Sequence, residues 1–210
     1  MGDNRPITWR GRKLNAKTIL MLHAAEHRLG SRLNLLKGSF DPAPGRSKGT
    51  HDDGGVFDAQ ETRPEVISAL RKEGFAAWKR NEGGSFRVDH THAVSIFDRN
   101  LSDQAKSQVT DYKRKRNGLI DHGPDPHPRV KIPDHPNRKK LVVKRADLRF
   151  GQTNKSIGFL QELLGITADD FFGEQTQAAA RTRLDWDGTG PLGKGKFERF
   201  FSGELFDRRV

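Results

Sequence analysis

The chain contains no cysteine. Disulfides, thiolate metal sites and cysteine nucleophiles are therefore excluded. Apolar residues make up only 33% of its 210 residues, so either the core is small or part of the chain serves as linker. No run approaches the roughly 18 apolar residues of a membrane span, and no membrane partner is expected. The opening residues, MGDNRPITWRGRKLNAK, hold no apolar h-region, so no conventional signal peptide is expected. Negative charge is also scarce: 27 Asp and Glu stand against 38 Lys and Arg, a net charge of +11. That balance suits a polyanionic partner. Nucleic acid is one candidate, and a bacterial wall rich in anionic polymer is another. No zinc finger or aromatic RNA-binding signature is present, so nucleic acid is not the expected partner.

The informative residues are histidines and acids in two short stretches. GRSKGTHDDGGVFD, residues 45–58, places His51 and Asp58 seven residues apart with Gly54 between them. RVDHTHAVSI, residues 87–96, holds Asp89, His90 and His92. A catalytic zinc ion takes three nitrogen or oxygen ligands and keeps one position open. A carboxylate close by can act as general base. His51, Asp58 and His92 could supply the ligands and Asp89 the base. Strand geometry offers a different pairing. If residues 86–92 form a regular strand, His90 and His92 share a face and Asp89 points the other way. His23 and His27, four apart on one helix, have no third ligand nearby and read as a partly exposed face. His122, His127 and His135 lie among prolines at spacings that fit no compact metal site.

HDDGGVFD resembles the H-x-x-G-x-x-x-D signature of the zinc D-alanyl-D-alanine peptidases. That family comprises carboxypeptidases, dipeptidases and the L-alanyl-D-glutamate endolysins of phages. Asp89-His90-Thr91-His92 resembles its second signature, an acid three residues before a histidine. The resemblance covers residues 14–122. It implies Zn²⁺ held by His51, Asp58 and His92, with Asp89 as base and His90 supporting the ligands or touching substrate. One departure stands out. The family often carries Ser-Gly-Tyr/Phe-Arg upstream, with the Arg on the substrate. This chain has Gly38-Ser39-Phe40-Asp41, which leaves Arg46 or Lys48 as candidate replacements. Trp78 is a candidate wall of a substrate groove, against the alternative of plain packing.

Residues 1–13 read as a loose arm anchored by Trp9. Apolar spacing from Leu14 to Leu29 predicts a helix ended by Gly30. Leu33 and Leu35 alternate as in a strand. Thr62-Arg63-Pro64-Glu65 reads as a capping box before a second helix. Phe75 to Trp78 and Phe86 to Ile96 read as a hairpin turning at residues 81–84. Ser102 is expected to cap a helix running to about Arg116, with Ala105, Val109 and Tyr112 inward. The expected class is α+β, a small antiparallel sheet with flanking helices as in the zinc peptidases, plus a C-terminal three-helix domain. The expected division is a catalytic domain at 1–122, a Pro-rich basic linker at 123–147 and a helical domain at 148–210.

In that last part, Ile157, Leu160, Leu163 and Leu164 mark one helix. Thr176, Ala179, Ala180 and Leu184 mark a second, and Phe197, Phe200 and Phe201 a third. SIGFLQELLGITADDFFGEQTQAAA resembles the peptidoglycan-binding repeat domain: Leu160-Gln161, Leu164-Gly165, Asp170, Phe172-Gly173 and Thr176 fall in its register, while Phe171 replaces a usual Gly. Together the two resemblances imply a monomeric zinc endopeptidase of peptidoglycan, acting on peptides with D-amino acids at the bacterial wall. Without a signal it would be phage-encoded and released through a holin, or carried in a virion. The alternative is a catalytically inactive wall-binding or virion structural protein.

Overall fold

The computed structural model describes residues 6–42, 49–81, 88–133, 150–153 and 155–184. The chain is α+β, with two antiparallel sheets and five helices among these residues. Residues 6–14 form a hairpin rather than a loose arm: β1 (Ile7–Trp9) pairs β2 (Arg12–Leu14). Arg10 and Gly11 at its tip both have positive φ, 50° and 71°, the turn geometry that matches strand twist. Trp9 on β1 is buried with Leu14 on β2.

Helix α1 (Ala16–Leu29) follows. The Asn15 side chain accepts from the Thr18 N–H as N-cap, and Gly30 ends the helix in the left-handed region at φ 69°. The second sheet runs β3 (Leu35–Lys37), β4 (Val56–Ala59), β6 (His90–Ser95) and β5 (Phe75–Arg80) in spatial order. Between β4 and β5 lies α2 (Pro64–Lys72). The capping box does not form: Pro64 takes the first helical position, so Arg63 becomes the N-cap and makes no side-chain cap bond.

Each face of this sheet has its own cover. Phe57, Ala59, Phe75, Ala77 and Ala93 on one face pack with α1, α2 and the hairpin. Helix α4 (Lys155–Leu163) and helix α5 (Glu174–Leu184) extend the same cluster through Ile157, Phe159, Leu160 and Ala180. On the other face, Val56, Ala76, Trp78 and Val94 pack under α3 (Asp103–Lys113) through Leu101, Ala105, Val109 and Tyr112. Residues 123–133, read from sequence as the start of a linker, are bound to α2 and to β5. The Asp125 carboxylate accepts from the buried Arg71 guanidinium at 2.8 Å, and His127 Nε2 accepts from the Lys79 N–H at 3.1 Å. Composition hid this, because the strap is held by polar groups and has no apolar period. The rest of that stretch from 134, the expected turn at 82–84 and the third C-terminal helix near 197–201 lie outside the described residues. Among the described residues, no helix is long and apolar enough to cross a membrane.

Candidate metal centre

Two adjacent strands supply most of the site. Asp58 on β4 and His92 on β6 are direct register partners. On the far side of β6, Trp78 pairs His92 and Arg80 pairs His90. Paired residues share a face, so Asp58, His90, His92 and Arg80 form one polar field. Val56, Ala76, Trp78 and Val94 continue that face as an apolar floor beneath α3.

His51 enters from the turn before β4 and is 3% exposed. Backbone bonds hold it: its carbonyl accepts from the Asp41 N–H at 2.9 Å, and the Asp53 carbonyl accepts from the Phe40 N–H at 3.2 Å. Ser39 clamps the same corner, its hydroxyl donating to the Val56 carbonyl at 2.7 Å and accepting the Val56 N–H at 2.9 Å. The turn needs Gly55, whose φ is 83° and whose missing Cβ would lie 2.9 Å from Asp98 Cβ.

The His51–Asp58–His92 group could hold a metal ion. One ligand atom from each lies within 4.8 Å of the others. Ring orientation favours this. His51 Nδ1 lies 2.7 Å from the Gly38 carbonyl, which can only accept, so Nδ1 carries the proton. Its Nε2 lone pair then faces Asp58 Oδ2 at 3.4 Å. His92 Nδ1 lies 2.7 Å from Asp58 Oδ1, and its Nε2 lies 2.9 Å from Gln108 Oε1. His90 Nδ1 lies 2.9 Å from the Val88 carbonyl, which turns Nε2 toward Asp58 Oδ1 at 3.9 Å. Ring nitrogens of three histidines thus face one carboxylate, and the His51, Asp58 and His92 members of the group are placed so that they could hold a cation. Two neutral imidazoles and a carboxylate suit zinc-like ions better than calcium or magnesium, which prefer oxygen.

Electrostatics fit the same picture. Burial alone would raise the Asp58 pKa, but its interactions with the His51 and His92 rings outweigh it, and the carboxyl is held well below its usual range. Burial lowers His92, against the pull of Asp58, which favours the neutral ring a metal requires. Arg80 is buried too and is pushed down to about 10 by desolvation, with Asp58 opposing. It donates to the Asn117 carbonyl at 2.8 Å and lies over the Trp78 ring.

Asp89 stands elsewhere. Its carboxylate pairs with Lys79 Nζ at 3.0 Å, and Lys79 sits opposite Thr91, on the other side of the sheet from His92. Asp89 precedes β6, which begins at His90, and its tie to Lys79 draws it away from the histidines. Trp78 is fully buried and donates from Nε1 to the Arg116 carbonyl at 3.1 Å, so its indole packs and lines no groove. Arg46 and Lys48 lie outside the described residues. Of the other histidines, His23 stacks on Phe159 with ring centroids 3.8 Å apart, and His122 pairs with Asp111 at 2.8 Å. An open groove lined by Arg28, Ile67, Lys72 and His127 shares no residue with the cluster.

Sequence reasoning missed Gln108 and Arg80. Each carried a signal: Gln108 falls on the inward stripe of α3 between Ala105 and Val109, and Arg80 is in phase with Trp78 on β5. In the C-terminal part, Gln161 on α4 is buried against the turn at 169–171. Its amide nitrogen donates to Asp169, Phe171 and Thr176, and its oxygen accepts from the Asp169 and Asp170 N–H groups. No protein-family model matches this chain, and no curated protein or solved structure matches it either.

Proposed function

We propose that the chain is a zinc-dependent peptidoglycan peptidase, cutting stem or cross-link peptides that contain D-amino acids. The observation that carries this reading is the grouping of His51, Asp58 and His92, one ligand atom of each within 4.8 Å of the others. Bound zinc would polarise the scissile carbonyl and acidify a water molecule. Hydrolysis forms a bond from water oxygen to the carbonyl carbon and breaks the C–N bond, and the water's proton ends on the leaving amine. His90 is our choice for moving that proton. Its Nδ1–H is committed to the Val88 carbonyl, which leaves Nε2 as the basic atom on the site face. Asp89, the residue implied by family resemblance, is engaged by Lys79. Arg80, in register with His90 and buried, acts in our reading through its charge on Asp58 rather than by touching substrate.

Two sequence features support a wall substrate: the peptidase-like motifs, and the repeat-like segment whose Gln161 hub orders the turn at 169–171. The positive charge suits an anionic wall. The second reading, an inactive wall-binding or virion protein, is favoured by Asp41 standing where the family's substrate-binding Arg would fall. The test is incubation with purified peptidoglycan, with and without a chelator, followed by mass analysis of the soluble fragments. Chelator-sensitive release of new amino and carboxyl ends is expected. Wall binding without fragments would leave only the second reading standing. Neither binding nor release would sink both.

A further inference from the structure

Gln108 is the one side chain from α3 that reaches the metal-binding group. Its amide makes two bonds. Nitrogen faces the Gly118 carbonyl at 3.2 Å, and oxygen faces His92 Nε2 at 2.9 Å. The first bond decides the second. A carbonyl only accepts, so the NH₂ end of the amide must point to Gly118 and the oxygen must point to His92. An oxygen there demands a proton on Nε2. Nδ1, the atom 2.7 Å from Asp58 Oδ1, is then the nitrogen left to present a lone pair to a metal ion. His51 is arranged the opposite way round, with its proton on Nδ1 and its lone pair on Nε2.

We propose that Gln108 is a positioning residue that selects the His92 tautomer, so that His92 binds metal through Nδ1 while His51 binds through Nε2. This rests on the metal-centre reading above. Such outer partners orient a ligand ring, and their loss usually costs about 10–100-fold in metal affinity. Gly118 belongs to the device. Its carbonyl orients the amide and also lies 3.5 Å from Arg80 Nη2, so one loop carbonyl sets the ring behind the metal and steadies the cation beside it.

The test uses the full chain labelled with nitrogen-15 and titrated with cadmium-113 as probe. Cadmium coupling to His92 Nδ1, with a protonated Nε2, is the expected result. Gln108→Leu keeps the size and loses the acceptor, and it should weaken zinc about 10–100-fold in competition with a chromogenic chelator. Gln108→Glu restores an acceptor toward Nε2 and should recover most of that loss. A merely structural role would move neither the coupling nor the recovery. Coupling through Nε2, or equal zinc affinity in wild type and Gln108→Leu, overturns the proposal while the metal centre stands. A wild-type chain that binds neither ion overturns the metal centre itself. The proton map of His92 in the metal-free protein then judges Gln108 separately: a proton on Nε2 that Gln108→Leu releases upholds the tautomer choice, and an unprotonated Nε2 refutes it.

Discussion

Replacing Asp125 with alanine removes the only carboxylate bonded to the Arg71 guanidinium among the described residues. Both side chains are buried, at 0% and 3% exposure. Breaking a buried pair from one side typically costs about 3–5 kcal/mol, since the remaining charge is left uncompensated. Two details adjust that figure. Arg71 keeps the carbonyls of Ala77, His127 and Pro128 as acceptors, which argues for the low end. Asp125 Oδ1 also accepts the His127 N–H at 3.1 Å, and losing that bond adds about 1 kcal/mol. A loss of about 3–4 kcal/mol follows, or about 6–16 °C in Tm for a chain of this size. Urea unfolding followed by tryptophan fluorescence can read it, because Trp9 and Trp78 are both buried. Asp125→Asn, which keeps one acceptor, should lose less. A loss below about 1 kcal/mol in the alanine variant, at unchanged m-value, would refute the claim that the 123–133 strap is part of the fold.

Three further outcomes are expected. Zinc at 100 times its Kd should stabilise the chain by about 2.7 kcal/mol, a shift that a chelator reverses and His51→Ala abolishes; thermal unfolding with and without chelator checks this. Burial, helped by the Arg10 charge, lowers the His23 pKa from 6.5 to about 4. As pH falls, the unfolded chain takes up this proton first, so the stabilising effect of the neutral ring is whole above pH 6.5 and gone below about 4. His23→Phe should flatten stability between those limits by on the order of 1–2 kcal/mol, the ring being partly exposed. Gly118→Ala places a Cβ 2.9 Å from the Trp78 ring at φ 66°; overpacking of this kind costs about 1–3 kcal/mol, and denaturant titration measures it.

Much of the site could be read before any coordinates. His51, Asp58 and His92 carried a recognisable spacing, and the pairing that delivers His92 was visible in the Asn-Glu-Gly-Gly turn signal between two strand-like runs. Strand alternation offers the pairing of His90 with His92 on one face, and those two do share a face of β6. What stayed hidden has physical reasons. The β1–β2 hairpin is three residues a side, too short for periodicity, and its turn uses Arg10 at positive φ where glycine or asparagine would have advertised it. Strand β4 is four residues long and follows a turn rich in Asp and Gly. The 123–133 strap is fastened by Arg71, a cation on a helix face that otherwise reads as solvated. Gln108 looks like any polar residue until the helix is turned to show which way it faces.

The cluster joining the hairpin to α4 and α5 bears on the order in which the chain can fold. Trp9 donates from its indole to Glu162, 153 residues further on, and Arg10 and Arg32 reach the same carboxylate. During synthesis, the hairpin and α1 therefore emerge long before the residues that cover them. Until α4 leaves the ribosome, the Trp9 indole and the His23 ring stand bare, and closing so long a loop makes that step slow.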